Sequence, residues 1–197
     1  MQRNVNNLIG YRMGGTDGEI GKVEEFYFDD ETWTIRYLIV LTGNWLANRK
    51  VLISPEALIR DSPAFRSFPV DLACEQIRNS PVPGPPAADL HLRSSRQVTG
   101  YNLHTTDGEI GHIIDFILDD ETWQVLYLVV DTHRWFGGRK VLIGVHHITA
   151  VQWDNSKVFV DITAEAVKSS PIFVGSEFLH PETGIPLTQD NPNIHLN

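Results

Sequence analysis

Apolar and polar residues alternate in short runs along most of the chain, which is the pattern of a strand with one buried face. Residues 33–42 show it most clearly, because Ile35, Tyr37 and Ile39 fall on one side. Residues 20–28 form a second such run. Further strands are predicted at residues 8–11, 49–54, 57–60 and 65–70, and short helices at residues 71–78 and 161–168. Strands at this spacing, joined by tight turns, predict an all-β chain built from small antiparallel β-barrels.

The chain contains an internal repeat at an offset of 90 residues. The sequence Thr-Asp-Gly-Glu-Ile-Gly begins at Thr16 and again at Thr106, and Asp-Asp-Glu-Thr-Trp begins at Asp29 and again at Asp119. The third recurring motif is Arg-Lys-Val-Leu-Ile, at residues 49–53 and 139–143. Three long motifs at one offset do not arise by chance, so one small β-rich domain has been duplicated.

The repeat divides the chain into two domains with a linker between them. Copy one is placed at residues 1–81 and copy two at residues 98–171. Residues 82–97 form the predicted linker, because their prolines exclude a helix or a central strand. An irregular tail is predicted for residues 172–197. A domain of this length builds only a thin core, so the two copies are expected to pack on each other as a symmetric pair.

The motifs of each copy resemble the PRC-barrel domain. The resemblance is carried by Asp-Gly-Glu-Ile-Gly before an apolar strand, an acidic turn, a Tyr-Leu-Ile-Val or Tyr-Leu-Val-Val strand, and then Arg-Lys-Val-Leu-Ile. It implies two tandem small barrels, each ending in a short helical turn. It also implies a protein that docks other proteins and is not a catalyst.

Charge and composition narrow the possible partners. The net charge is −9, from 16 basic and 25 acidic residues. This balance argues against binding of nucleic acid and against docking on anionic lipid. No apolar run approaches the ~20 residues that span a bilayer, so no membrane insertion is expected. Because the chain has one cysteine, Cys74, and no signal-peptide pattern, a cytoplasmic location is expected.

Three groups of polar side chains are candidates for chemistry, and each also has a structural explanation. The acidic clusters at residues 29–31 and 119–121 carry the oxygen ligands that Ca²⁺ prefers, but they are equally typical of hairpin turns in water. Asp17 and Glu19 flank a turn glycine with no nucleophile beside them. Copy two alone carries a set of histidines, at His104, His112, His133, His146 and His147. Whether they bind a metal stays open, and no catalytic, cofactor-binding or metal-binding residue is assigned.

Two tryptophans in matching loops are candidates for an interaction surface. Trp45 and Trp135 occupy these loops, and Phe136 follows the second. A tryptophan at a loop tip either anchors a partner protein or plugs the open end of its own barrel, and the sequence supports both equally.

A second candidate surface comes from a difference between the copies. A three-residue turn at residues 29–31 would place Glu24 opposite Arg36. The matching residues of copy two are Ile114 and Leu126, both apolar. This face of copy two is therefore expected to be covered by copy one, by the tail or by a partner subunit.

The sequence thus favours a non-enzymatic protein with two PRC-barrel-like domains that docks other proteins or itself. A homodimer is one form that this self-association can take. The alternative is a protein that binds a small ligand or a metal in the groove between the two barrels.

Overall fold

The computed structural model describes residues 1–59, 66–80, 91–132 and 137–175. The chain starts with a short strand, β1 (Gln2–Asn4), and one turn of helix, α1 (Val5–Leu8). The described residues after it form two β-sheets with short helices at their edges. The mostly-β class predicted from the alternation of apolar and polar residues is confirmed.

The first sheet is built mainly from copy one. Its strands are β2 (Arg12–Gly14), β3 (Glu19–Asp29), β4 (Thr34–Thr42), β5 (Lys50–Ile53) and β6 (Ser67–Pro69). Their spatial order is β5-β4-β3-β2-β6, in which β2 and β6 are parallel and the other neighbours are antiparallel. The helix α2 (Cys74–Arg78) follows.

The second sheet is built mainly from copy two. The chain re-enters the structure with β7 (Leu92–Ser94), α3 (Ser95–Val98), β8 (Asn102–Thr105), β9 (Gly108–Asp119) and β10 (Val125–Asp131). It continues with β11 (Lys140–Gly144), β12 (Ile148–Gln152), β13 (Lys157–Val160) and the helix α4 (Ala164–Lys168). The spatial order is β11-β10-β9-β8-β13-β12, so β12 lies at one end of this sheet.

The first strand of each copy pairs with the sheet of the other copy. β1 runs antiparallel to β9 and places Arg3 opposite Leu118. β7 runs antiparallel to β3 and places Arg93 opposite Phe28. The two registers are equivalent under the offset of the repeat, so the exchange is reciprocal. The symmetric packing expected from the sequence therefore occurs by exchange of strands, and each sheet is completed by a strand of the other copy.

Each exchanged strand leads into one turn of helix whose start is fixed by a polar side chain. Asn4 accepts a hydrogen bond from the backbone N–H of Asn7 at 3.0 Å, and Ser94 accepts one from Gln97 at 3.0 Å. These are N-caps of α1 and α3. The strand predicted at residues 8–11 is therefore wrong, because this stretch is the end of a capped helix and the connection to β2.

A single apolar core is shared by the two copies, and it contains the equivalent tryptophans Trp33 and Trp123. Trp33 and Trp123 follow the acidic turns with φ of 55° and 59°, a left-handed conformation that bulky residues rarely adopt. The carbonyl of Trp33 accepts the N–H of Val125 at 2.7 Å, and the carbonyl of Trp123 accepts that of Ile35 at 2.8 Å. The two hairpins are thus joined end to end across the pseudo-twofold axis.

Several predicted boundaries and pairings need correction. Residues 92–97 belong to the second repeat and not to the linker, because they form β7 and α3. The predicted barrels are open sheets over the described ranges, because β12 pairs with β13 and not with β11. The first residues of the predicted irregular tail are held against the second sheet, because the N–H of Phe173 donates a hydrogen bond to the carbonyl of Lys140 in β11 at 2.8 Å.

The predicted contact between Glu24 and Arg36 is also wrong. Register shifts in the β3–β4 hairpin make each of these residues the extra residue of a β-bulge. Glu24 instead lies 2.7 Å from Lys50, and Arg36 lies 3.3 Å from Asp29.

Candidate functional site

The acidic turns hold the exchanged strands in place. Asp30 lies 2.8 Å from Nε of Arg93 and 3.0 Å from Nδ1 of His91. The hydrogen bond with Asp30 raises the pKa of His91. In the other half, Asp120 lies 2.5 Å from Nε of Arg3. The clusters predicted as solvated turns or Ca²⁺ ligands are therefore contacts between the copies.

The first aspartate of each cluster stabilises its own turn. Asp29 accepts hydrogen bonds from the backbone of Thr32 at 2.9 Å and of Glu31 at 3.1 Å. Desolvation tends to raise the pKa of Asp29, but the hydrogen bonds outweigh it, so the pKa is lowered. Over the ranges given above, no three His, Cys, Asp or Glu side chains are grouped so that they could hold a metal ion.

The Asp-Gly turns also have structural roles. Asp17 accepts a hydrogen bond from the backbone N–H of Cys74 at 2.8 Å, and Asp107 accepts one from Ala164 at 2.8 Å. These bonds cap α2 and α4 and lower the pKa of both aspartates. A side chain at Gly21 would collide with the carbonyl of Leu41 on the next strand. The motif is therefore explained by caps and by close strand packing.

A buried carboxylate lies where α1 docks on β9. Asp115 is 4% exposed and accepts hydrogen bonds from the backbone N–H groups of Asn6 at 3.0 Å and Phe116 at 2.8 Å. Burial raises the pKa of Asp115 to about 7. The matching residue of copy one is Glu25, which accepts a hydrogen bond from the hydroxyl of Ser94. The pattern of apolar and polar residues does not indicate that these acids are buried.

A groove opens between the contact of Asp30 with Arg93 and the outer strand β12. It holds a cavity of about 430 Å³. Trp33 and Trp153 line it, together with residues 148–151 of β12. The guanidinium of Arg93 lies 4.3 Å from the ring centroid of Trp153, within the range of a cation–π contact. We refer to this cavity and its lining as the inter-repeat groove.

One side of the groove is the free edge of a sheet. Over the part of the chain that the structure covers, β12 pairs with β13 alone. Its sequence, Ile-Thr-Ala-Val-Gln, contains no charged residue and no proline, and Thr149 and Ala150 are exposed. An uncharged free edge offers backbone hydrogen-bonding groups to another strand.

The predicted interaction residues lie apart from this groove. Trp45 is half-buried against the core and donates its indole N–H to the carbonyl of Ile20 at 2.8 Å. Trp135 and Phe136 fall outside the described residues. Ile114 packs in a cluster with Phe173 of the tail. Leu126 is half-buried. That any of these five residues contacts a partner stays a prediction.

The histidines of copy two do not form one site in the described residues. His147 lies 2.8 Å from Asp161, and its ring is 4.2 Å from that of His146. His104 lies 3.3 Å from Glu109, whereas His112 is exposed. His133 falls outside the residues that the structure describes.

Fold and groove together define a duplicated, mostly-β module whose copies exchange strands. A family model of the PRC-barrel domain matches residues 2–63 and 93–167, and the chain belongs to this family. The second match begins within β7, in agreement with the longer second repeat seen in the structure. Comparison with curated proteins gives no match. Among the described helices, none has the length and apolar character needed to cross a bilayer.

Proposed function

We propose that the protein is a non-enzymatic docking module that binds another protein in the inter-repeat groove. The observation that carries the proposal is the uncharged free edge of β12 along a cavity of about 430 Å³. Proteins protect exposed sheet edges with charges, proline or a covering element, and β12 has none of these over the described residues. An open edge beside a cavity suits the binding of a protein segment.

The polar residues at the groove support a binding role more than a catalytic one. Asp30 is engaged by both Arg93 and His91. Because an equivalent pair joins Arg3 to Asp120 in the other half, the shared function of these residues is to join the copies. A general acid or base would need freedom to exchange protons with a substrate.

Affinity capture with two matched variants tests the proposal. Ala150→Arg fills the groove, whereas Asn155→Arg adds the same side chain at an exposed position that lies outside β12 and does not line the cavity. A protein captured by the parent and by Asn155→Arg, but lost with Ala150→Arg, supports docking in the groove. Equal capture by all three proteins contradicts it.

A small-ligand protein is the second candidate, favoured by the two tryptophans and the guanidinium at the cavity. A volume of about 430 Å³ lies within the usual range of ligand pockets, roughly 300–1,000 Å³. Native mass spectrometry of the purified protein distinguishes the candidates, since a retained small molecule adds a defined mass that Ala150→Arg removes. Formation of a homodimer and a cytoplasmic location stay predictions.

A further inference from the structure

The exchanged strand of copy one and the turn of helix after it form a short arm that lies on copy two. This N-terminal arm consists of β1 and α1, residues 2–8, and over the described residues its strand pairs only with residues 117–119 of β9. An arm of this length, held at one strand, is expected to detach locally while the two sheets stay folded. Detachment exposes the buried side chains of Val5 and Leu8, so the arm is closed most of the time.

The N-terminal arm docks over Asp115, a buried acid of β9. The backbone N–H of Asn6 donates a hydrogen bond to the carboxylate at 3.0 Å, and the side-chain amide of Asn6 donates one to the carbonyl of Ile114 at 3.1 Å. The N–H of Phe116, within β9 itself, donates a second hydrogen bond to the carboxylate at 2.8 Å. Asp115 is 4% exposed. Detachment of the arm therefore removes one hydrogen bond from the carboxylate and opens it to water.

The surroundings of Asp115 favour its protonated form. The charge of Lys140 on β11 lowers the pKa of Asp115, but by less than burial raises it. The charged groups of the arm, the α-amino group of Met1 and the guanidinium of Arg3, bind Asp120. Burial raises the pKa of Asp115 to about 7, whereas an aspartate in water ionises at about pH 4. Ionisation therefore favours the form in which the arm has left the acid.

We infer that a proton on Asp115 controls the opening of the N-terminal arm. The arm is held on β9 while the carboxyl group is protonated, and its open form becomes more populated as the pH rises and the group ionises. Opening leaves the edge of β9 free at residues 117–119, where β1 was paired. The molecule thereby presents a further sheet edge to other strands, in addition to that of β12.

Hydrogen exchange of the full chain, followed at single residues by NMR, tests this inference. The N–H of Asn6 reports on the arm, because it bonds directly to Asp115. After correction for the direct effect of pH on exchange, its rate should rise about 50-fold between pH 5 and pH 7 and level off above about pH 8. Asp115→Asn should remove this rise. Asp154→Asn, at an exposed position, should keep it.

The N–H of Leu128, in the buried strand β10, separates opening of the arm from unfolding of the whole chain. At pH 7, Asn6 should be protected at least about tenfold less than Leu128. Equal protection of the two residues would show that the arm opens only when the chain unfolds. Lower protection of Asn6 that does not change with pH would show that Asp115 does not control the arm, and either result overturns the inference. Both comparisons use the unaltered chain, so they decide the question even if Asp115→Asn does not fold.

Discussion

Asp30 and Arg93 join the two repeats, with the carboxylate Oδ2 2.8 Å from Nε of the guanidinium. The aspartate belongs to the β3–β4 turn of copy one, and the arginine belongs to the exchanged strand of copy two. Arg3 and Asp120 repeat the contact on the other side of the molecule. The side chains of Asp30 and Arg93 are 10% and 20% exposed, so solvent screens their interaction only partly.

A double-mutant cycle on Asp30→Ala and Arg93→Ala is expected to give a coupling energy of about 1–3 kcal/mol by urea denaturation, because the pair is half-buried. The exposed pair of Glu75 and Arg78, 3.4 Å apart, is the control and should give about 0.3 kcal/mol. Equal coupling energies for the two pairs would show that the contact between the repeats stabilises the protein no more than an exposed ion pair does.

Asp115 is expected to make stability depend on pH. Its folded-state pKa, about 7, lies above the unfolded value of 3.8, so the folded state holds the proton more tightly. Stability is therefore greatest below the unfolded pKa and falls as the pH rises toward 7. Burial is the largest effect on the pKa of Asp115. The hydrogen bonds from Asn6 and Phe116 and the charge of Lys140 lower this pKa, but by less than burial raises it.

Between pH 5 and pH 8 the parent should lose on the order of 2–3 kcal/mol more stability than Asp115→Asn, as measured by urea denaturation. The amide keeps an acceptor for both N–H groups and has no proton to release. Asp154→Asn, at an exposed position, is the control and should follow the parent. If Asp115→Asn also follows the parent, Asp115 is not the group responsible.

The central hairpins could be predicted from sequence because their signal is local. Alternation in residues 33–42 predicts a strand, and the structure has it at Thr34–Thr42. The two bulges are not visible in the alternation, since an extra residue such as Glu24 or Arg36 reads as an ordinary strand position. The predicted pairing of these two residues failed for that reason.

Exchange of the first strands could not be predicted from the same signal. The alternation identifies a strand but not the sheet edge to which it binds, because that choice depends on the packing of the whole chain. One signal was present: Arg3 and Arg93 are equivalent under the offset of the repeat. This equivalence indicates that the second repeat extends into the predicted linker. It also identifies the two arginines as candidate counterions for Asp30 and Asp120.

Trp45 is expected to stabilise its own repeat. The indole packs on the core and donates a hydrogen bond to the carbonyl of Ile20, so Trp45→Ala should lower the free energy of unfolding by about 2–4 kcal/mol. Trp45→Phe keeps much of the packing and loses the donor, and should cost about 1 kcal/mol. Thermal melts measure both. A change within about 0.5 kcal/mol for Trp45→Ala would favour the alternative, an anchor for a partner.

The lone thiol reports on the cap of α2. Desolvation first, and then the hydrogen bond and charge of Asp17, raise the pKa of Cys74. Asp17→Asn removes the charge and keeps an acceptor for the N–H of Cys74, so the pH at which thiol labelling reaches half its maximal rate should move down. Asp71→Asn, a nearby exposed acid that does not cap the helix, should leave that pH unchanged. An unchanged profile for Asp17→Asn would show that Asp17 does not act on the thiol.

The most direct measurement for the exchange of strands is a pair of engineered disulfides in a Cys74→Ser background. Gln2 lies opposite Asp119, and paired residues of neighbouring strands have Cα atoms about 4.5–5.5 Å apart, within reach of a disulfide. Without exchange, the symmetry of the repeat would place Gln2 opposite Asp29. Gln2→Cys with Asp119→Cys should give a disulfide within one chain on a non-reducing gel and peptide map, and Gln2→Cys with Asp29→Cys should not. A disulfide in the second protein and none in the first would contradict the reciprocal exchange on which the groove depends.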